Sequence, residues 1–273
     1  MIVHDSLDPA AFAKRIRAHA LRMVHLSKAS HIGSCLSIAD ILSVLYSHVL
    51  RIDAKNPSDP ERDRFILSKG HAAAILYAAL AERGFFPVSE LANYCKDGSL
   101  LTGHVSHGVA GVEVSTGSLG HGLPIAAGMA IAAKADGRQS RVFCLLSDGE
   151  CDEGSNWEAA LFAPHHRLDN LVAIVDFNKI QSFGSVAEVL NLDPLAEKWR
   201  TFGWHTVEID GHDLDEIKRV LAIIPQRPGQ PSAVIAHTIK GRGVSFMQDK
   251  LEWHYRSPTD DQLADALAEL GEA

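Results

Sequence analysis

Several features that would assign this chain to a particular class of protein are absent from its sequence. Lys and Arg number 26 against 34 Asp and Glu, and the formal net charge is −8. Nucleic-acid binding depends on clustered basic residues that neutralise phosphates, so we expect no nucleic-acid partner. Charged residues interrupt the first thirty positions, which therefore contain neither a signal-peptide core nor a membrane span. We expect a cytoplasmic protein that does not enter a membrane.

Cysteine is scarce, and the four cysteines form no CxxC pair. They are Cys35, Cys95, Cys144 and Cys151. Cys144 lies in an apolar run that predicts a fully buried strand. This pattern is typical of reduced thiols in the cytosol.

The chain also lacks an internal linker, a repeat and a low-complexity segment. Its 273 residues could form one large α/β domain or two small ones. Hydrophobic residues make up 46% and charged residues 22%, as in ordinary soluble globular proteins. We therefore predict a single domain over residues 1–273, with a possible C-terminal helix or linker over residues 259–273.

Apolar runs of strand length alternate with helical patterns along most of the chain. This alternation predicts an α/β fold, with a doubly wound, mostly parallel sheet and helices on both faces. Ser37 is the predicted N-cap of the second helix. Predicted helices cover residues 9–26, 38–46, 72–83, 123–135, 155–161, 194–202 and 214–223, and predicted strands cover residues 65–67, 141–146, 171–175, 204–209 and 233–236.

The most informative pattern places polar residues at the ends of two strands. Asp148 and Gly149 follow one apolar strand, and Asn178 follows the next, thirty residues after Asp148. Ligands bind beyond the carboxyl ends of parallel strands, so these residues should face a common ligand. Carboxylate and amide oxygens suit a hard cation such as Mg²⁺, and a helix beginning near Ser155 would direct its amides toward an anion. The pattern predicts a cradle for metal-bound diphosphate, in preference to an ordinary Asp-Gly turn.

This pattern resembles the thiamin diphosphate signature, in which Gly-Asp-Gly is followed some thirty residues later by Asn. Ser147 stands where the first glycine is usual. The resemblance implies that Asp148, Asn178 and the carbonyl of Ile180 hold the metal ion. The implied cofactors are thiamin diphosphate and Mg²⁺, with Ca²⁺ or Mn²⁺ as substitutes for the metal.

Histidine is abundant, and several of the fifteen histidines stand beside glycine in predicted turns. They include His31, His71, His104 and His121. Imidazole groups at strand ends can donate to phosphate and can move protons near neutral pH. A single histidine in a turn is more commonly solvated or bonded to backbone, so position alone assigns no role.

Five motifs in order resemble the N-terminal, diphosphate-binding third of transketolase. They lie at residues 67–77, 111–122, 148–154 and 240–243, and at the Trp-His pair ending in His254. The resemblance covers nearly the whole chain. It implies transfer of a two-carbon ketol unit from a ketose donor, with a phosphate group, to an aldose acceptor, as in pentose phosphate metabolism.

The resemblance also implies roles for individual residues. His31, His104 and His254 would be catalytic, contacting substrate hydroxyl or carbonyl groups and assisting proton transfer. Glu153 and Glu158 match acidic residues at the family's subunit interface. The implied cofactor-binding residues are His71, Gly117, Leu119, Asp148, Gly149, Glu150, Asn178 and His254. His-Ile-Gly at residues 31–33 and Gly-His-Val-Ser at residues 103–106 depart from the family's His-Pro-Gly and Gly-His-Pro-Glu.

Thiamin diphosphate chemistry also needs a glutamate and an apolar pocket for the aminopyrimidine ring. In transketolases a second domain supplies both across the dimer interface, and we expect that domain on a separate chain. The prediction is thus the N-terminal subunit of a split transketolase, paired with a pyrimidine-binding C-terminal subunit in a heterotetramer with two of each chain.

Other interpretations stay open at this point. The nearest is the α-subunit of a thiamin diphosphate-dependent 2-oxoacid dehydrogenase, and a noncatalytic relative is a further possibility. A zinc hydrolase built on His104 and His107, or on His165 and His166, lacks a third ligand at metal spacing. The loop at residues 117–122 lacks the preceding strand and the GxGxxG order of a dinucleotide site.

Overall fold

The computed structural model describes residues 7–272, and their centre is a five-stranded parallel sheet with the strand order β1-β2-β3-β5-β4. Its register places Ser147, at the end of β2, beside Asp176 of β3. The predicted strands lie within two residues of those observed. The strands are β1 Arg64–Leu67, β2 Val142–Ser147, β3 Leu171–Phe177, β4 His205–Asp210 and β5 Ser232–His237.

Helices cover both faces of the sheet, as the alternating sequence pattern predicts. Every residue of β2 and β3 is buried, since side chains on both faces meet helices. The helices are α1 Pro9–Ser27, α2 Ile32–Ser37, α3 Ala39–Val44, α4 Ala73–Glu82, α5 Gly122–Ala135, α6 Gly154–His165, α7 Val186–Val189, α8 Leu195–Thr201, α9 Leu214–Ala222 and α10 Asp260–Leu270. Shorter helical turns are Leu45–Val49, Gly70–Ala72, Val88–Asn93, Gly149–Asp152, Ser245–Met247 and Leu251–His254.

Two apolar cores lie on opposite faces of the sheet. One joins α1 to α4, α9 and α10, and the other joins α5, α6 and α8. Thr259 caps α10, and Ala266 and Leu270 are the buried residues on the side of α10 that faces the core. None of the helices described between residues 7 and 272 is both long enough and apolar enough to cross a membrane.

The predicted cap at Ser37 is wrong. Ser37 is the last residue of α2, a helix missing from the sequence-based prediction, and α3 begins after Ile38 without a side-chain cap. The Ser37 hydroxyl group donates to a carboxylate oxygen of Asp176 at 2.8 Å, and it makes no cap bond to α3. A local cap pattern cannot reveal this partner, which lies on the sheet.

Candidate active site

A cavity of about 220 Å³ opens at the carboxyl ends of β2 and β3. Ten of the predicted site residues line it, and they arrive from six separate loops. A more spacious groove of about 590 Å³, between Phe86 and Ala110, carries none of them. The cavity is lined by His31, Ser34, His71, His104, Gly117, Leu119, Ser147, Asp148, Gly149, Asn178, Ile180, Gln181, Ser182, Lys240 and His254.

Asp148 lies at the end of β2, with its carboxylate in a turn that two backbone amides stabilise. Oδ1 accepts from Gly149 N at 2.7 Å and Oδ2 accepts from Lys179 N at 2.6 Å. Burial, and after it the charge of Asp176, raises the pKa of Asp148 to about 6. A cation bound here would therefore relieve an unfavourable charge.

Asn178 follows β3, and its amide group has a defined orientation. Nδ2 donates to Asp176 Oδ2 at 2.9 Å, while Oδ1 accepts from Ile180 N at 3.1 Å. The carbonyl of Ile180 in turn accepts from Lys240 Nζ at 2.9 Å. Asp148, Asn178 and Ile180 thus bring three kinds of oxygen ligand to one cavity.

Asp176 is a fully buried carboxylate behind the cavity, and the sequence placed it at the end of a strand without giving it a role. Lys69 Nζ lies 2.5 Å from it, and both side chains are inaccessible to solvent. The hydroxyl groups of Ser37 and Thr238 also donate to it. Burial, the largest single influence, would raise the pKa of Asp176, but the charge of Lys69 and the hydrogen bonds from Lys69, Thr238 and Ser37 together outweigh burial and lower it. Asp176 is therefore ionised and accepts hydrogen bonds only.

Four histidine rings line the cavity and cluster around His31. The ring centroid of His31 lies 5.2 Å from that of His71, 5.7 Å from that of His104 and 5.0 Å from that of His254. The backbone of His31 is left-handed, with φ of 76°, and its amide donates to the His254 carbonyl at 2.9 Å. Such a conformation in a residue other than glycine is common at functional sites, where surrounding contacts stabilise it.

Three of these rings, those of His31, His71 and His254, are neutral near pH 7. Burial lowers the pKa of His31 to about 4, with further contributions from His104 and two lysines. Burial and Lys240 lower the pKa of His254 to about 3. The pKa of His71 also falls well below its usual value because the ring is buried. A neutral imidazole can donate from one nitrogen and accept at the other, as proton transfer requires.

Lys240 is a buried cation in a motif whose members received no individual role from the sequence. Its Nζ lies 3.1 Å from His254 Nδ1. An ammonium group only donates, so Nδ1 accepts and the proton of a neutral His254 ring lies on Nε2. Burial and the nearby Lys69 lower the pKa of Lys240 to about 8. Both lysines place positive charge beside the cavity.

Glu150 is fully buried but does not line the cavity. Its carboxylate accepts from Gly120 N at 2.9 Å, from Ser147 N at 3.3 Å and from the Ser68 hydroxyl group. Burial raises its pKa. Glu150 therefore connects three loops behind the cavity wall.

Glu153 and Glu158 lie away from the cavity, exposed at the start and on the outer face of α6. Three large apolar side chains are exposed near them on α5 and α6. Ile125 is 37% exposed, Leu161 61% and Phe162 40%. Apolar side chains exposed together in this way are typical of an interface.

The other histidines that the structure describes, between residues 7 and 272, do not line the cavity. His121 is exposed and its ring lies 3.1 Å from the Leu119 carbonyl. His107 pairs with Ser115, and His165 packs edge-on against His166. Within residues 7–272 no cluster of three or more His, Cys, Asp or Glu side chains has metal-site geometry, so the zinc interpretation gains no support.

The departure from the family pattern beside His104 has a structural consequence. Val105 N donates to the Gly70 carbonyl at 3.2 Å, a bond that proline could not make. The Tyr77 hydroxyl group donates to the His104 carbonyl at 2.9 Å and accepts from Ser106 N at 3.1 Å. These bonds fix the His104 loop against the His71 turn.

Comparison with known proteins identifies a family over almost the whole chain. Residues 9–272 match the family described as transketolase, thiamine diphosphate binding domain. The 6-deoxy-6-sulfo-D-fructose transketolase subunit SqwG of Clostridium sp. is 42% identical, and the match covers 97% of each chain. One subunit of the apulose-4-phosphate transketolase of Actinobacillus succinogenes is 44% identical, over 98% of this chain and 96% of that one.

Longer transketolases match in one part of their length. Human transketolase is 42% identical over 93% of this chain, which corresponds to 40% of the human protein. The crystal structure of transketolase from Campylobacter jejuni superimposes with a TM-score of 0.90 at 32% identity, over 96% of this chain and 42% of that one. These relatives confirm the predicted fold and do not favour the 2-oxoacid dehydrogenase alternative.

Proposed function

We propose that this chain, which belongs to the transketolase family by its thiamine diphosphate-binding domain, is the diphosphate-binding subunit of a two-chain transketolase. The observation that carries the proposal is the convergence of Asp148, Asn178 and Ile180 with four histidines in one cavity. Relatives that match over nearly their full length are named as transketolase subunits.

The ligand set fits a hard divalent cation. Its members are a carboxylate, an amide oxygen and a backbone carbonyl, which Mg²⁺, Ca²⁺ and Mn²⁺ accept. The Ile180 carbonyl already faces a cationic group, the ammonium of Lys240. Asp148, Asn178 and Ile180 would hold Mg²⁺, and His71 and the amide of Gly149 would contact the diphosphate. Gly117 and Leu119 would lie beside the thiamin rings, and Glu150 would stabilise the loops behind them.

The histidines would act on the sugar. Thiamin diphosphate, when bound, supplies the electron sink for carbon–carbon bond cleavage. His254 would present its Nε2 proton toward the substrate, because Nδ1 faces Lys240. His31, whose ring lies beside those of His104 and His254, would act with His104 to hold hydroxyl or carbonyl oxygens and to accept or return protons.

The carboxylates at the cavity support the need for a second chain. Among residues 7–272, Asp148 is the only acidic residue that lines it. A glutamate for the aminopyrimidine ring would therefore come from a pyrimidine-binding partner. We infer a heterotetramer with two copies of each chain, in which Glu153 and Glu158 lie at the interface beside the exposed Leu161.

The substrates follow from relatives whose names specify sugars with anionic groups. One name refers to a sulfonated fructose and the other to apulose 4-phosphate. We propose a ketose phosphate, of the kind used in pentose phosphate metabolism, as donor and an aldose as acceptor.

We also propose a single domain over residues 1–273, with residues 259–273 as its terminal helical segment. We further propose a cytoplasmic location, which is consistent with four unpaired cysteines.

Calorimetry on the complex of this chain with its pyrimidine-binding partner, to be sought first in the product of the adjacent gene, tests the metal assignment. Asp148→Asn should weaken Mg²⁺-dependent binding of thiamin diphosphate by more than about 100-fold, since it removes a charged ligand. Asp97→Asn is the matched control, because Asp97 is exposed and does not line the cavity. This variant should bind like the wild type. Equal binding by Asp148→Asn would contradict the assignment.

A ketol-transfer assay tests the two-chain arrangement. We expect turnover only when both chains are present, with a ketose phosphate and an aldose. Full turnover by this chain alone would contradict the split arrangement. Decarboxylation of a 2-oxoacid with a lipoyl acceptor would instead support the dehydrogenase alternative.

A further inference from the structure

His212, in the turn between β4 and α9, uses both of its ring nitrogens. Nδ1 lies 2.8 Å from Asp40 Oδ2, and Nε2 accepts from Ile239 N at 2.8 Å. The side chain is only 7% exposed. No sequence motif singled out His212, and it does not line the cavity.

The partners of the ring fix its protonation. A backbone amide can only donate, so Nε2 of His212 must accept, and the proton of the neutral ring lies on Nδ1. Nδ1–H then donates to Asp40, whose carboxylate is also held by both terminal nitrogens of Arg17, at 2.9 and 2.6 Å. A ring that donates on one side and accepts on the other fixes the distance between Asp40 and Ile239.

Arg17 reaches the same segment at a second point. Its Nε donates to the carbonyl of Arg242 at 3.1 Å. The segment of residues 239–242 is therefore attached at both ends to one buried network. Gly241 N also donates to the Gly33 carbonyl at 3.0 Å, which ties the middle of the segment to α2.

Lys240 lies within this segment and reaches the cavity. Its Nζ contacts the Ile180 carbonyl and His254 Nδ1, as described above. Its Cγ packs so closely over Gly33 that a Cβ atom added there would lie 3.2 Å from it. A small displacement of residues 239–242 would therefore move the ammonium group away from both partners.

We propose that His212 is a positioning residue, which holds residues 239–242 in place so that Lys240 meets Ile180 and His254. The effect on cofactor binding rests on the proposed function, because only then does Lys240 lie beside a metal and a diphosphate. The effect on the segment itself does not depend on that function.

Two substitutions separate the two bonds of the ring. His212→Gln can place a carbonyl oxygen where Nε2 lies and so keep the bond from Ile239. His212→Asn can place an amide nitrogen where Nδ1 lies and so keep the bond to Asp40, but it leaves the Ile239 amide without a partner. His205→Asn, which removes one contact to Gln226 at the amino-terminal end of β4, is the matched control.

The first measurement is hydrogen–deuterium exchange in the cofactor-free chain. In His212→Asn the amides of residues 239–243 should exchange at least about tenfold faster than in the wild type, while His212→Gln and His205→Asn should stay close to it. Equal exchange in all four proteins overturns the proposal. This result is independent of whether thiamin diphosphate binds.

The second measurement is affinity of the two-chain complex for thiamin diphosphate with Mg²⁺. His212→Asn should bind about 10- to 100-fold more weakly, as partners of metal ligands typically do when changed, and His212→Gln should recover most of the loss. In a Lys240→Met background, His212→Asn should cause no further loss. Equal losses for Asn and Gln, or a full additional loss without Lys240, overturn the proposal. Failure of the wild type to bind would contradict the proposed function instead.

Discussion

The amide nitrogen of Asn178 donates to the carboxylate of Asp176, two residues earlier on the same chain, at 2.9 Å. Since Asp176 is ionised and can only accept, the oxygen of the Asn178 amide must face the other way. The oxygen that we propose as a metal ligand is thus already oriented in the metal-free chain. Positioning of this kind reduces the reorganisation that binding requires.

The buried pair of Lys69 and Asp176 should be costly to break. Asp176→Asn leaves the Lys69 ammonium, which is 0% exposed, without a counter-charge. We expect a loss of about 3 to 5 kcal/mol in the free energy of unfolding, measured by urea denaturation of the cofactor-free chain. The double variant Lys69→Met with Asp176→Asn should recover part of it. A single variant as stable as the wild type, or a double variant less stable than the single one, would contradict this account.

The Tyr77 hydroxyl group should matter for activity more than for the fold. Tyr77→Phe removes the shared partner of the His104 carbonyl and the Ser106 amide and so loosens the His104 loop, although the Thr102 hydroxyl group still donates to that carbonyl. Leaving a buried polar group without its hydrogen-bond partner costs about 1 to 3 kcal/mol of free energy. We therefore expect kcat/KM to fall by about tenfold or more. Tyr46→Phe, at a tyrosine that is only 3% exposed in the same core, is the control and should retain activity. Equal kinetics in the two variants would show that the bridge is unimportant.

Much of the site could be predicted because its residues follow local rules. Asp148 and Asn178 come directly after apolar strands, and parallel topology brings such strand ends to one edge. Fold class and strand positions follow from the same periodicity. Histidine beside glycine indicated His31, His71 and His104 as candidates, and the family motifs gave each of them a role.

What sequence reasoning missed consists of contacts between distant residues. Lys69 and Asp176 are 107 positions apart, and His212 and Asp40 are 172 apart. No periodicity or turn signal records such pairs, since each residue alone looks like an ordinary polar residue at a strand or helix end. Ser37 illustrates the error, because its neighbours suggest a helix cap while its actual partner lies on the sheet.

Asp40 should make stability depend on pH in the acidic range. Burial alone would raise its pKa, but Arg17 and His212 outweigh burial and lower the pKa to about 2, from an ordinary 3.8. The stabilising contribution is therefore complete above about pH 4 and is lost as the pH falls toward 2. It amounts to about 2 kcal/mol.

Urea denaturation at several pH values measures this contribution. The wild type should lose about 2 kcal/mol more stability between pH 4.5 and pH 2 than Asp40→Asn, which no longer titrates there. Asp97→Asn, at an exposed carboxylate, should follow the wild-type curve. Parallel curves for wild type and Asp40→Asn would contradict the lowered pKa.

Two glycines should respond to alanine in opposite directions. At Gly70, in the turn that presents His71, an added Cβ would lie 2.4 Å from a backbone atom of Thr116, so Gly70→Ala must displace the turn. We expect a loss of about 3 kcal/mol or more in the free energy of unfolding and weaker cofactor binding.

Gly128 lies on the outer face of α5 with no atom within 4 Å of an added Cβ. Gly128→Ala should therefore stabilise the cofactor-free chain by about 0.5 to 1 kcal/mol through helix propensity. Chemical denaturation of both variants checks the sign of each effect. No loss of stability in Gly70→Ala would show that backbone proximity at Gly70 does not constrain the turn, and a loss in Gly128→Ala would contradict the helix-propensity argument.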